Sequence, residues 1–258
     1  MEKGLDYNAG GARYNTSYIQ CVGIGSITDS LSAVKTRVFD ERRFAMSELV
    51  ELLRTDFAGH EAERLALATS PRYGNDDDRA DDIMREVFEA LYAEIDGRPN
   101  GRGGSYHIDM LPTTCHIYFG SVMGASADGR RAGMPLSEGI SPVQGAATRG
   151  PTAVLNSAAK MDHVRTGGTL LNQKFVPGVL AGDDGVRNLG HLVRAYFERN
   201  GHHVQFNVAD AQTLRDAQAH PDRYRGLLVR VAGYSDYFCD IGRELQDEII
   251  SRTAQNSL

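Results

Sequence analysis

The chain predicts an α/β protein in which parallel strands alternate with helices. Its last third carries that reading. Leu170–Phe175, the alternating Val204, Phe206 and Val208, and Leu227–Val231 read as strands, with helical stretches over Val186–Asn200 and Thr213–Ala219 between them. Strands separated by a helix-length crossover pair in parallel. With 258 residues, 41% hydrophobic and 24% charged, the chain is long enough to bury a substantial core and has ordinary globular composition. Neither an internal repeat nor a linker is visible, so one domain is the simpler organisation.

From the beginning, Gly10–Asn15 leads into Thr16–Gly25, a strand ending in a Gly-rich turn. Gly23-Ile24-Gly25 lacks the third glycine of a dinucleotide loop. A helix is predicted over Thr28–Phe39 with Ser30 and Ser32 on its polar side. Ser47 caps a second helix whose Leu49, Leu52 and Leu53 share a face. Tyr73-Gly74-Asn75-Asp76-Asp77-Asp78 precedes a strong helix with Ile83, Val87, Leu91 and Ile95 as a core stripe. These acids lack calcium-loop spacing and suit helix capping better than metal binding.

Gly97–Gly104 is a flexible loop, Tyr106, Ile108 and Met110 alternate as a strand, and His116–Gly120 reads as a short extended segment. Ser121–Gly150 is long and irregular, a length that implies a purpose. Near the C-terminus Gly233 sits in a tight turn between the 227–231 strand and an amphipathic helix over Ile241–Ala254, which Ser235 or Asp236 is placed to cap.

The formal charge of −6 argues against a generic nucleic-acid or anionic-membrane binder. The N-terminus has no leader-like apolar core, and no run is long enough to span a bilayer. Cys21, Cys115 and Cys239 are far apart without Cys-x-x-Cys spacing, which fits the cytoplasm and excludes a disulfide framework. His202 and His203 point to opposite faces of a strand, and no zinc, hydrolase or phosphate-loop motif occurs. The residues alone therefore define no conventional active site.

Arg230-Val231-Ala232-Gly233-Tyr234-Ser235-Asp236-Tyr237-Phe238, with Leu245–Thr253 after it, resembles the signature of the glycyl radical enzymes, the pyruvate formate-lyase-like family. Tyr73–Asp77, Ala127–Gly139 and Gly201–Val208 resemble further segments of that family. Gly11–Gln20, Met110–His116 and Arg230–Cys239 are most like its 4-hydroxyproline dehydratases.

The resemblance implies a fold: the second half of a ten-stranded barrel with the C-terminal radical loop and helix. It implies a barrel segment over residues 1–130 and a glycine radical domain over 131–258, together the C-terminal third of such an enzyme. Gly233 is then the modified residue that stores the radical. Arg230, Tyr234 and Ser235 support the loop, and Thr113 resembles a pocket position that contacts substrate, although a threonine ending a strand also serves as a cap.

No bound cofactor is implied; the radical is protein-based and installed by a radical S-adenosylmethionine activating enzyme. Implied partners are that enzyme, the N-terminal remainder or a full-length homologue, and a small-molecule substrate, with neither nucleic acid nor membrane. The full enzyme would be a homodimer in an anaerobic cytoplasm. Burial would protect the radical from oxygen. The family's Cys-x-Glu loop is absent, since Cys21 precedes Val22, Cys115 precedes His116 and Cys239 precedes Asp240. Cys239 reads as a packing residue on the last helix. The chain is therefore expected to be inactive alone. The alternatives are a spare part that restores an oxygen-cleaved enzyme and an inactive fragment.

Overall fold

The computed structural model describes residues 4–252 and 254–255. Met1 to Lys3, where no leader-like segment is expected, and Thr253, part of the predicted last helix, lie outside the described residues.

The order is β1 (Thr16–Gln20), α1 (Ile24–Val34), α2 (Met46–Arg54), α3 (Glu61–Ala68), α4 (Asp78–Ile95), β2 (Ser105–Asp109), α5 (Cys115–Val122) and α6 (Gly150–Ala158). It continues with β3 (Asn172–Phe175), α7 (Gly182–Glu198), β4 (Gln205–Val208), α8 (Ala211–Ala219), β5 (Leu228–Arg230), β6 (Ser235–Tyr237), α9 (Arg243–Ser251) and β7 (Ala254–Gln255). The α/β expectation holds. β1 pairs with β2 in parallel, and β3 is parallel to both β4 and β7, giving the order β4-β3-β7. A parallel bridge from Met110 to Thr169 links the end of β2 to the approach of β3. The sheets are open.

Several local readings are corrected. Helix α1 starts at Ile24, four residues early, because Gly23 adopts φ 84° and turns the chain directly out of β1. It continues as a π-helical turn over Lys35–Asp40. Ser32 is buried and donates to the Pro71 carbonyl, so it is not on a solvent face. Ala45, not Ser47, is the residue before α2, and Glu48 accepts from its amide. In α4 the buried stripe is Ala80, Met84 and Phe88; Ile83, Val87, Leu91 and Ile95 flank it half-buried.

His116–Gly120 lies in helix α5, not an extended segment: its β-rich composition loses to an environment that buries His116 and Gly120 together. Helix α6 follows the irregular stretch with a Pro-containing first turn, in a segment for which the sequence predicts no element. β5 pairs antiparallel with β6 as a hairpin, so the junction at Gly233 is strand–turn–strand. Gly242 precedes α9, so neither Ser235 nor Asp236 caps it, and the last helix ends at Ser251. Cys239 lies in the turn before α9, half-buried beside the carbonyls of Ala217 and Tyr224.

The long 121–150 stretch is irregular but ordered. Leu136 through Ser141 are buried along it. The Tyr73–Asn75 turn pins it: Tyr73 Oη donates to the Ile140 carbonyl at 2.8 Å, and Asn75 donates to Ala146 at 3.0 Å. The Thr148 amide donates back to Asn75 at 2.7 Å. Gly74 has φ +89°, and an added Cβ would lie 2.1 Å from Pro142 Cγ, so only glycine permits this closure. The acidic run behaves as a cap and ion-pair site. Asp77 accepts from the Arg79 amide, and Asp76, Asp78 and Asp81 surround the Lys160 ammonium.

Three apolar cores form among the described residues. The largest joins Ile24, Met84, Phe88, Ile108, Met110, Leu171 and Phe175 beneath the parallel strands. Another places Leu170, Val229, Val231, Ala232, Phe238 and Ile249 under the β5–β6 hairpin. The latter sets the position of Gly233.

Candidate radical site

Gly233 occupies the tip of the β5–β6 hairpin, where the Val231 amide donates to the Tyr234 carbonyl at 2.9 Å. Its φ of +75° is a left-handed conformation that L side chains rarely adopt. Leu170 Cδ1, at 4.0 Å, is the nearest atom to an added Cβ, so that side of the Cα faces open space. Gly233 is exposed, since no element among the described residues covers the hairpin tip; the expected burial belongs to the complete enzyme.

Both peptide groups flanking this Cα are held. The Gly233 amide donates to Gln205 Oε1 at 3.1 Å, and Arg230 Nη2 donates to the Gly233 carbonyl at 3.2 Å. Arg230 Nε also donates to Gln205 Oε1 at 2.9 Å, while its Nη1 donates to Ser235 Oγ at 3.3 Å. Asn207 clamps the strand below: its side chain donates to the Arg230 carbonyl and accepts from the Arg230 amide, each at 2.7 Å. The clamp gives β4 and β5 a ladder-like link made by a side chain.

A buried polar spine supports the loop from beneath. Gln205 donates to Asn172, and Asn172 donates to Glu138. Arg252 pairs with Glu138 at 3.5 Å and Glu248 at 2.8 Å, and its Nη1 reaches the Arg230 carbonyl at 3.2 Å. His116, fully buried on α5, faces Glu248 at 3.6 Å. Lys174 on β3 donates to the Ile250 carbonyl at 2.8 Å and closes the end of α9.

Burial alone would raise the Glu248 carboxyl, but Arg252 and His116 reverse this and hold it below the usual carboxylate range. Burial wins at Glu138, which is raised despite Arg252. Burial also brings Lys174 down to about 8. A carboxylate depressed in the folded state contributes stability above its unfolded pKa and loses it as pH falls through the folded value. Acidification below about pH 5 is therefore expected to remove a stabilising contribution that Glu248→Gln lacks. Urea unfolding at stepped pH checks this: the stability difference between wild type and the variant should shrink with acid.

The structure thus gathers Gly233, Arg230 and Ser235 into one bonded unit, with Tyr234 contributing its backbone. Thr113 is exposed in the β2–α5 loop, and no hydrogen bond joins it to the hairpin among the described residues. Its neighbour Leu111 packs into the core under Val231 and Ala232, which brings the two loops to one core. Gln205, Asn207, Asn172 and Arg252 were not singled out from sequence. The strand is read from its alternating Val204, Phe206 and Val208, which passes over the first two: Gln205 and Asn207 are the buried residues of β4.

The chain belongs to the glycyl radical enzymes. It matches the family described as pyruvate formate lyase-like over residues 1–120 and the glycine radical family over residues 136–239, so that the two together cover most of its length. It is 59% identical over 256 residues to trans-4-hydroxy-L-proline dehydratase of Clostridioides difficile, covering 99% of this chain and 32% of that relative. The crystal structure of hydroxyproline dehydratase from the same organism, with trans-4-hydroxy-L-proline bound, matches with a TM-score of 0.95 at 58% identity over 99% of this chain and 32% of that one. The B12-independent glycerol dehydratase of Clostridium butyricum matches with a TM-score of 0.95 at 44% identity, covering 99% and 33% respectively. The chain spans about a third of the length of the relatives it matches.

Proposed function

We propose that this chain is the radical-bearing part of a glycyl radical dehydratase that acts on 4-hydroxyproline or a close analogue. The observation that carries the reading is the Gly233 hairpin tip, with both flanking peptide groups hydrogen-bonded and its Cα open to approach. Identity to a hydroxyproline dehydratase along nearly the whole chain supports the substrate class.

In this reading a radical S-adenosylmethionine activating enzyme removes one hydrogen atom from the Gly233 Cα, leaving the unpaired electron there. The glycyl radical then takes the thiol hydrogen of a cysteine on a Cys-x-Glu loop, a motif this sequence does not contain. The resulting thiyl takes a hydrogen atom from the substrate carbon beside the hydroxyl. Water leaves, and the hydrogen returns from the cysteine. Arg230 and Ser235 hold the loop, and Thr113 is assigned to the substrate side. A second polypeptide, or a preceding part of the same one, supplies the cysteine and covers Gly233. The exposed Tyr118, Phe119 and Val122 of α5, with Met123 just after it, suit such a covering partner. No helix among the described residues is long and apolar enough to cross a membrane. We assign the chain to an anaerobic cytoplasm, as half of a homodimeric enzyme once complete.

Oxygen provides the test. After anaerobic activation, exposure to air should cut the backbone at Gly233 and release a C-terminal piece beginning there, read by intact-protein mass spectrometry. An activated chain that stays whole in air would contradict the assignment.

A further inference from the structure

The hairpin geometry, taken with the radical reading above on which this step rests, points to Gln205. We propose that Gln205 is a positioning residue that stabilises the unpaired electron by holding the Gly233 amide as a hydrogen-bond donor, while Arg230 holds the Gly233 carbonyl as an acceptor.

The orientation of the Gln205 amide is settled by its partners. Oε1 faces two donors, the Gly233 amide at 3.1 Å and Arg230 Nε at 2.9 Å. Its nitrogen faces two acceptors, Asn172 Oδ1 and the Val231 carbonyl. Rotating the amide by half a turn would set donor against donor on one side and acceptor against acceptor on the other. Gln205 is only 5% exposed, so water cannot replace these bonds at low cost.

An electron left on a peptide Cα is shared between the nitrogen lone pair on one side and the carbonyl on the other. Accepting a hydrogen bond from the N–H leaves the nitrogen more electron-rich. A charged donor on the carbonyl oxygen makes that group more electron-withdrawing. Gln205 and Arg230 act in these two directions on the same Cα, and the Arg230–Gln205 bond locks them into one unit. Forming the radical breaks one Cα–H bond homolytically. The hydrogen atom goes to a carbon-centred radical supplied by the activating enzyme, and the Cα flattens between its two held peptide groups.

The test compares Gln205→Met, which keeps length but removes the acceptor, with Gln205→Glu, which keeps the acceptor. The whole chain is activated anaerobically and followed by electron paramagnetic resonance, with nitrogen-15 in its amides. We expect the Gln205→Met radical to decay about five- to tenfold faster, the size of one lost hydrogen bond, with a smaller amide-nitrogen hyperfine coupling. Gln205→Glu should keep the wild-type coupling, because it still accepts from the Gly233 amide, although it loses the donors to Asn172 and Val231. The coupling separates an electronic role from packing, because a merely loosened fold would leave it unchanged. Wild-type lifetime and coupling in Gln205→Met would overturn this inference alone. A Gln205→Glu chain whose coupling falls as in Gln205→Met would also overturn it. A wild-type chain that gives no radical would overturn the functional reading and this inference together.

Discussion

Replacing Arg252 with methionine is expected to lower the unfolding free energy by about 3–5 kcal/mol, the cost of leaving buried charges without their partner. Arg252, Glu138 and Glu248 have side chains no more than 6% exposed, and the guanidinium lies between the two carboxylates. Without it, both carboxylates face each other across a dry site. They can relieve that only by taking up protons, so their folded pKa values rise above the unfolded ones. Such groups contribute stability below the unfolded pKa and lose it as pH rises through the folded value. The penalty should therefore be largest at neutral pH and shrink towards about pH 4. Urea unfolding of both proteins at pH 7 and pH 4.5 checks size and sign. A penalty that stays the same at both values would mean that the cluster acts by packing and not by charge. The same substitution removes a donor to the Arg230 carbonyl, so the hairpin should loosen as well.

Gly233→Ala should separate folding from radical chemistry. Alanine at φ +75° carries a left-handed strain of about 1–2 kcal/mol, but its methyl meets nothing closer than Leu170 Cδ1 at 4.0 Å. The variant is expected to fold, with its melting temperature lowered by about 2–8 °C. Radical formation and oxygen cleavage should vanish together. The new Cβ takes the place of the hydrogen that faces open space, and it crowds the centre that must become planar. Thermal melts and mass spectrometry after air exposure are the measurements. Cleavage at residue 233 in the alanine variant would remove Gly233 from the mechanism.

How much of this was legible follows from where the information sits in the chain. β3 was legible only from Leu170, Leu171 and Phe175, since Asn172, Gln173 and Lys174 between them are buried as well. α7 and α8 could be read because apolar periodicity reports burial of apolar groups, and there the two agree. On β4 they part company. The inward residues are Gln205 and Asn207, buried because they bond the Gly233 hairpin, while Val208 is exposed. A hydrophobic pattern cannot signal a buried amide whose partners lie more than twenty residues away. The same limit hid Glu138, Asn172 and Arg252, whose spine joins a loop, a strand and the residue after α9. His116–Gly120 failed for another reason: Ile117, Tyr118 and Phe119 favour strands, and tertiary packing of α5 overrode that weak preference. Gly233 was legible only through its resemblance to a known signature. Locally it is a hairpin glycine with positive φ, like many others. What marks it is the pair of side chains on its flanking peptides, which only the folded chain brings together.

The most direct measurement is anaerobic electron paramagnetic resonance of the chain after incubation with a matching activating enzyme and S-adenosylmethionine. It should be made alone and with a polypeptide carrying the Cys-x-Glu loop. The account predicts a doublet, split by the one hydrogen left on Gly233, which collapses to a single line when the glycines carry deuterium at Cα. No doublet under either condition, or a doublet indifferent to that deuterium, would contradict the assignment of Gly233 as the radical centre.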